Sequence, residues 1–131
     1  MSPREYSSRV SDIRDRIFRI RQCEQLLLRA EQENHTQEFE TAYDAILYNL
    51  LVIGEAVKSI YLQLSADYHE INWREIARLR DVLVHQYHQV NAEQVFQILD
   101  EPLRQLAQAL RVDTASKAEH FCYPGNTECD C

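Results

Sequence analysis

Phe39, Tyr43, Ile46, Leu50, Ile53, Val57, Ile60 and Leu64 follow one another at alternating spacings of four and three residues, without a miss. That period places all eight on one side of an α-helix of about seven turns. Leu47, Leu51 and Tyr61 widen the stripe. The spacing therefore predicts a central helix over about residues 37–64 that touches more than one neighbour. Gly54 lies inside it, where glycine costs about 1 kcal/mol relative to alanine. The return we expect is close backbone approach by another helix. Glu55 beside it is either a solvated charge or a group facing the functional site, and a solvated charge is the plainer expectation. With 2 Gly and 3 Pro in 131 residues, the chain lacks the turn residues a β-rich fold needs. We expect an all-α domain.

The remaining elements read off in order. Val10, Ile13, Ile17, Ile20 and Leu27 recur at helical spacing and predict a first helix over about residues 5–30. Residues 31–37 are polar, and Thr36 or Thr41 could cap the central helix. After a polar loop at 65–71, Asn72 with Glu75 three residues on resembles a capping box. It predicts a helix from Trp73 to about His85, buried through Ile76, Leu79 and Leu83, with Trp73 as packing in its first turn. Asn91 and Glu93 open a last helix, with Val95, Leu99, Leu103, Leu106 and Leu110 as its stripe. Pro102 inside that pattern predicts a kink or restart, with Asp100 or Glu101 as a new cap. The periodicity ends at Val112. The expected organisation is one helical domain over 1–112 and a polar tail over 113–131.

No run of about 18 or more uncharged apolar residues occurs, and the first 30 residues lack an apolar signal core. We expect a soluble, cytoplasmic protein with no membrane partner. Cys23 stands alone, and Cys122, Cys129 and Cys131 crowd into the tail without the spacing of a zinc knuckle, so free thiols are expected. His85 and His88 lie three apart, but no third ligand follows at a clear spacing. No metal or other cofactor is expected.

The net charge of −7 argues against a nucleic-acid partner, but its distribution argues the other way. Residues 1–30 hold seven arginines against four acids, and residues 71–90 hold three arginines against Glu75 and Asp81. Residues 31–70 hold eight acids against Lys58 alone. If the first helix and the 71–90 segment pack together, they make an anion-attracting face on an acidic body. For the first helix alone, a solvated, salt-bridged face is the simpler reading.

The stretch Arg80-Asp81-Val82-Leu83-Val84-His85-Gln86-Tyr87 concentrates the chemistry. Arg80 is a permanent cation with a planar fork of donors suited to phosphate. His85 exchanges a proton near neutral pH. Together they suit metal-free cleavage of RNA. Histidine takes the 2′-OH proton, the oxygen attacks the adjacent phosphorus, and arginine stabilises the charge on the phosphoryl oxygens. A 2′,3′-cyclic phosphate results. DNA lacks this nucleophile. Asp81 orients Arg80 or His85, or is a surface acid. Tyr87 stacks on a base or bonds the phosphate. On a helix, positions 80 and 85 diverge by about 140° and 7.5 Å. They meet on one phosphate only if the helix ends near His85 or if a second copy faces the first across a two-fold axis. We prefer the second, since symmetric dimers are the commonest oligomers. An Arg and a His five apart are by themselves common in helices that do no chemistry.

The ordered set is more specific than the pair. Ile53-Gly54-Glu55-Ala56, then Asn72-Trp73-Arg74-Glu75-Ile76, then Arg80-Asp81 with His85 and Tyr87, resembles the HEPN superfamily over about residues 5–112. The Arg-x4-His-x-Tyr form resembles its HepT toxins, partners of minimal nucleotidyltransferases. The resemblance implies an up-and-down bundle of four to five helices, homodimeric, with the motif helices lining a cleft between protomers. It implies a metal-independent endoribonuclease, the toxin of a type VII-like toxin–antitoxin system acting on tRNA or mRNA, with Arg80 and His85 as the catalytic pair and Asp81 in support. It further implies that the cognate nucleotidyltransferase antitoxin modifies Tyr87 with AMP. A different class remains open: a non-catalytic helical module that holds such a nucleotidyltransferase. A zinc protein built from His85, His88 and the tail cysteines is a third, weaker idea.

Overall fold

The computed structural model describes residues 2–85 and 91–112. The described residues form α1 (Pro3–Gln32), α2 (Thr36–Ser59), α3 (Tyr61–Asp67), α4 (Trp73–His85), α5 (Ala92–Asp100) and α6 (Pro102–Ala109), with no strand among them. The all-α expectation holds. No single helix among the described residues is long and apolar enough to cross a membrane.

α1 begins with a full capping box. The Ser2 hydroxyl accepts from the Glu5 amide, the Glu5 carboxylate takes the Ser2 amide, and Pro3 fills the first helical position. It ends in a Schellman turn. Asn34 sits in the left-handed region (φ 58°), the His35 amide donates to the Ala30 carbonyl and the Asn34 amide to that of Glu31. This tight turn folds α2 back along α1 as an αα-hairpin. Ile13, Ile17 and Ile20 of α1 meet Ile46, Leu50, Ile53 and Val57 of α2 in the core, all at most 2% exposed.

Two details of the α2 expectation are corrected. Neither threonine caps its start: no side-chain cap is made there, and the Thr41 hydroxyl donates to the Gln37 carbonyl instead. Nor does the helix run unbroken to Leu64. It breaks at Ile60 and turns by 85° into α3. The Ser59 hydroxyl donates to the Ala56 carbonyl at 2.8 Å, a competing bond of the kind that bends helices. The apolar spacing is blind to this break because Ile60 and Leu64 are fully buried on either side of it.

The bend returns the chain onto α2. The Trp73 indole donates to the Tyr68 carbonyl, and its ring packs edge-on against Tyr68, anchoring the first turn of α4. The Asn72 side chain accepts from the Glu75 amide, as the capping pattern predicts. Next to Tyr68, Asp67 accepts from the Tyr6 hydroxyl at 2.7 Å, tying α1 to α3. Burial and that carboxylate push the Tyr6 phenol well above its ordinary range. Asn91 caps α5, and the chain restarts at Pro102 as expected. Glu101 stands before α6 but makes no cap; its carboxylate takes the Arg104 and Gln105 side chains.

α1 and α4 both pack against α2. The two basic segments therefore flank an acidic helix. The α4 contact is closest at Gly54, where a β-carbon would fall on that of Arg80 and lie 3.1 Å from its Cα. The expected close approach is present, and only glycine permits it. Gly54→Ala should lower stability in urea unfolding by about 1–3 kcal/mol through overpacking, against a helix-propensity gain of about 1 kcal/mol. A net gain would mean α4 does not press there.

Candidate active site

Arg80 enters the site from α4 with its backbone already seated on Gly54. Its Nε donates to Glu55 Oε1 at 2.5 Å, and its Nη1 donates to Asp81 Oδ1 at 3.0 Å. Lys58, one turn beyond Glu55 on α2, donates to the same Asp81 oxygen at 2.8 Å. Four charges from two helices thus form one alternating network, Glu55–Arg80–Asp81–Lys58. The Glu55 hydrogen bond, then that of Asp81, raises the Arg80 pKa further. Arginine is charged at any working pH, so the pairs do not decide its protonation; they fix where its plane points. Its Nη2 has no hydrogen-bond partner among the described residues.

Glu55 is exposed, as expected, and it is also bound to Arg80. Its position one residue after Gly54 was the available signal, because the residue next to a forced approach is within reach of what approaches. Lys58 carried no signal beyond being the one cation in an acidic stretch. Asp81 is paired to Arg80, not to His85. His85 is the last described residue of α4 and is exposed. Because α4 stays helical through His85, the described chain brings Arg80 and Asp81 together and leaves His85 on another side. Tyr87 and His88 lie outside the described residues, as does the 113–131 tail. Among the described residues, no group of three His, Cys, Asp or Glu side chains could hold a metal ion.

Two open hollows of about 670 Å³ lie elsewhere, one at the α1–α2 turn and one between α4, α5 and α6; neither is lined by Arg80 or His85. Val84, in the turn between them, is exposed.

A family profile described as "Ribonuclease HepT-like" matches residues 13–112. The chain belongs to that family. It is 37% identical over 62 residues to a protein named "Probable ribonuclease HepT" from Thermococcus cleftensis, covering 47% of this chain and 56% of that one. It is 40% identical over 55 residues to a "Putative RNase" from Methanocaldococcus jannaschii, covering 42% of this chain and 46% of the relative. A second protein of that organism, "Gamma-glutamylcyclotransferase and putative RNase", is 26% identical over 82 residues, 63% of this chain and 36% of its own length. The chain thus spans roughly a third to just over a half of the length of these three relatives. No solved structure is a significant match.

Lys58, then Arg80, hold the Asp81 carboxyl below its ordinary range. A depressed carboxyl stabilises the fold above its unfolded pKa, about 3.9, and that contribution fades as pH falls through the lower folded value. Asp81→Asn should therefore flatten the acid limb of stability below about pH 4 and leave the neutral range parallel to wild type. Unfolding by urea across pH measures it.

Proposed function

We propose that this chain is a metal-independent endoribonuclease that cuts RNA by attack of a 2′-OH on the neighbouring phosphorus. Arg80 stabilises the phosphoryl oxygens and His85 moves the proton. The observation that carries the reading is the seating of Arg80: glycine underneath it, a carboxylate on each of two donors, and Nη2 without a hydrogen-bond partner among the described residues. That is a preset cation, the form of electrostatic help that costs no reorganisation during the reaction. Family membership and the relatives' names support the same activity.

His85 and Arg80 of one chain diverge along α4. A homodimer that brings two copies of α4 face to face supplies a second imidazole, and exposed Val84 suits such a contact. In keeping with the sequence resemblance, the protein is the toxin of a type VII-like pair acting on tRNA or mRNA. Its nucleotidyltransferase antitoxin silences it by placing AMP on Tyr87, filling the cleft and adding negative charge where RNA must sit. The engagement of two Arg80 donors by carboxylates favours a second reading, a structural arginine in a non-catalytic module that holds the nucleotidyltransferase.

Cleavage assays separate the two. In EDTA, wild type should cut total RNA, and Arg80→Ala and His85→Ala should each lose at least about 100-fold. Equal cutting by all three would mean another site or a contaminant; no cutting by any would leave the scaffold. Glu55→Gln should lower kcat by about 10- to 100-fold, as a misaimed group does, with KM little changed. Co-expression with the antitoxin should add mass in AMP-sized steps, absent in Tyr87→Phe.

A further inference from the structure

Asn49 is the only buried polar side chain among the described residues, 5% exposed on the α1–α2 contact. An amide taken out of water must find partners, and this one does. Its nitrogen donates to the Ala45 carbonyl at 2.7 Å, and its oxygen accepts from Arg16 Nη1 at 3.2 Å. The bond aims Arg16 across from α1. There its guanidinium lies 5.6 Å from the centre of the Tyr48 ring, within cation–π range. No ion pair is made by Arg16 among the described residues, unlike Arg21, Arg29, Arg80 and Arg104. Tyr48 itself remains 57% exposed.

Tyr48 and Glu55 are seven residues apart on α2, so they share a face about 10.5 Å apart along the axis. Half-buried Val52 lies between them. Arg16 borders this strip from α1 and Arg80 borders it from α4, each held by a polar partner on α2. An oriented cation beside an open aromatic face is the pairing that holds a single-stranded nucleic acid, with phosphate on the one and a base on the other.

We infer that Arg16 and Tyr48, set by Asn49, form a second RNA-binding point on α2, gripping a phosphate and a base adjacent to the link presented to Arg80. The inference deepens the ribonuclease reading and rests on it for the identity of the ligand. Arg9, two turns before Arg16 on the same side of α1, extends the positive edge along which the strand leaves.

The test uses the full chain and a single-stranded RNA with 2′-O-methyl riboses, which binds without being cut. Affinity is followed by fluorescence anisotropy over a salt series, with folding checked by circular dichroism. Arg16→Gln should weaken binding about tenfold and reduce the log–log salt slope by about 0.7, the loss of one phosphate contact on a single strand. Tyr48→Ala should weaken it at least about fivefold, while Tyr48→Phe, which keeps the ring, stays within about twofold. Tyr48 is exposed, so its loss does not threaten the fold should Arg16→Gln do so. Wild-type affinity and slope in Arg16→Gln and Tyr48→Ala, or no binding by wild type, would overturn the inference. So would dissociation of a wild-type dimer by Tyr48→Ala in sedimentation, which would make the ring a subunit contact. Arg16-dependent binding without cleavage of ordinary RNA would sink the ribonuclease reading alone. Cleavage indifferent to Arg16 and Tyr48 would sink this inference alone.

Discussion

The contact on which the site depends is a backbone one: α4 presses against α2 where Gly54 has no side chain, so the β-carbon of Arg80 occupies the place a side chain would take. Arginine carries a long, rotamer-rich side chain whose ordering costs entropy. Here the root of that chain is fixed by packing, and Glu55 and Asp81 fix the head. Interactions that are individually weak at an exposed site act together because the close approach at Gly54 has already placed them. Lys58 completes the network by holding Asp81, so α2 anchors both the arginine and the acid beside it.

The rest of the molecule keeps α2 still. Three isoleucines of α1 lock into its inner face, and Tyr6–Asp67 ties the start of α1 to the end of α3. The turn at Ile60 brings α4 back along the other flank. The result removes the apparent conflict between an acidic chain and the phosphate-bearing partner proposed for it. Acidic charge lies mostly on the body, while the cations that matter are aimed by partners on a shared strip. Local field, not the sum of charges, governs where an anion goes.

Much of this was legible before any coordinates. Eight apolar residues at alternating spacings marked α2, Asn72 and Asn91 marked the starts of α4 and α5, and Pro102 marked a restart. Gly54 announced a close approach because a mid-helix glycine is otherwise a loss. What stayed hidden has physical reasons. The break at Ile60 leaves the burial pattern intact, so periodicity could not report it. Thr41 and Glu101 had other bonds available than the caps their types suggest. The pairings Glu55–Arg80 and Arg16–Asn49 join residues 25 and 33 positions apart, and no local spacing encodes them. The AMP-acceptor role given to Tyr87 came only through resemblance, and that residue lies outside the described ones.

The central claim is that Arg80, seated on Gly54, serves a reaction whose nucleophile is the substrate's own 2′-oxygen. The most direct measurement is the chemistry of the RNA ends left by the purified protein in EDTA, read by mass spectrometry. The account predicts 2′,3′-cyclic phosphate on one fragment and a 5′-hydroxyl on the other. Fragments ending in 3′-hydroxyl and 5′-phosphate would require an external nucleophile and would contradict it.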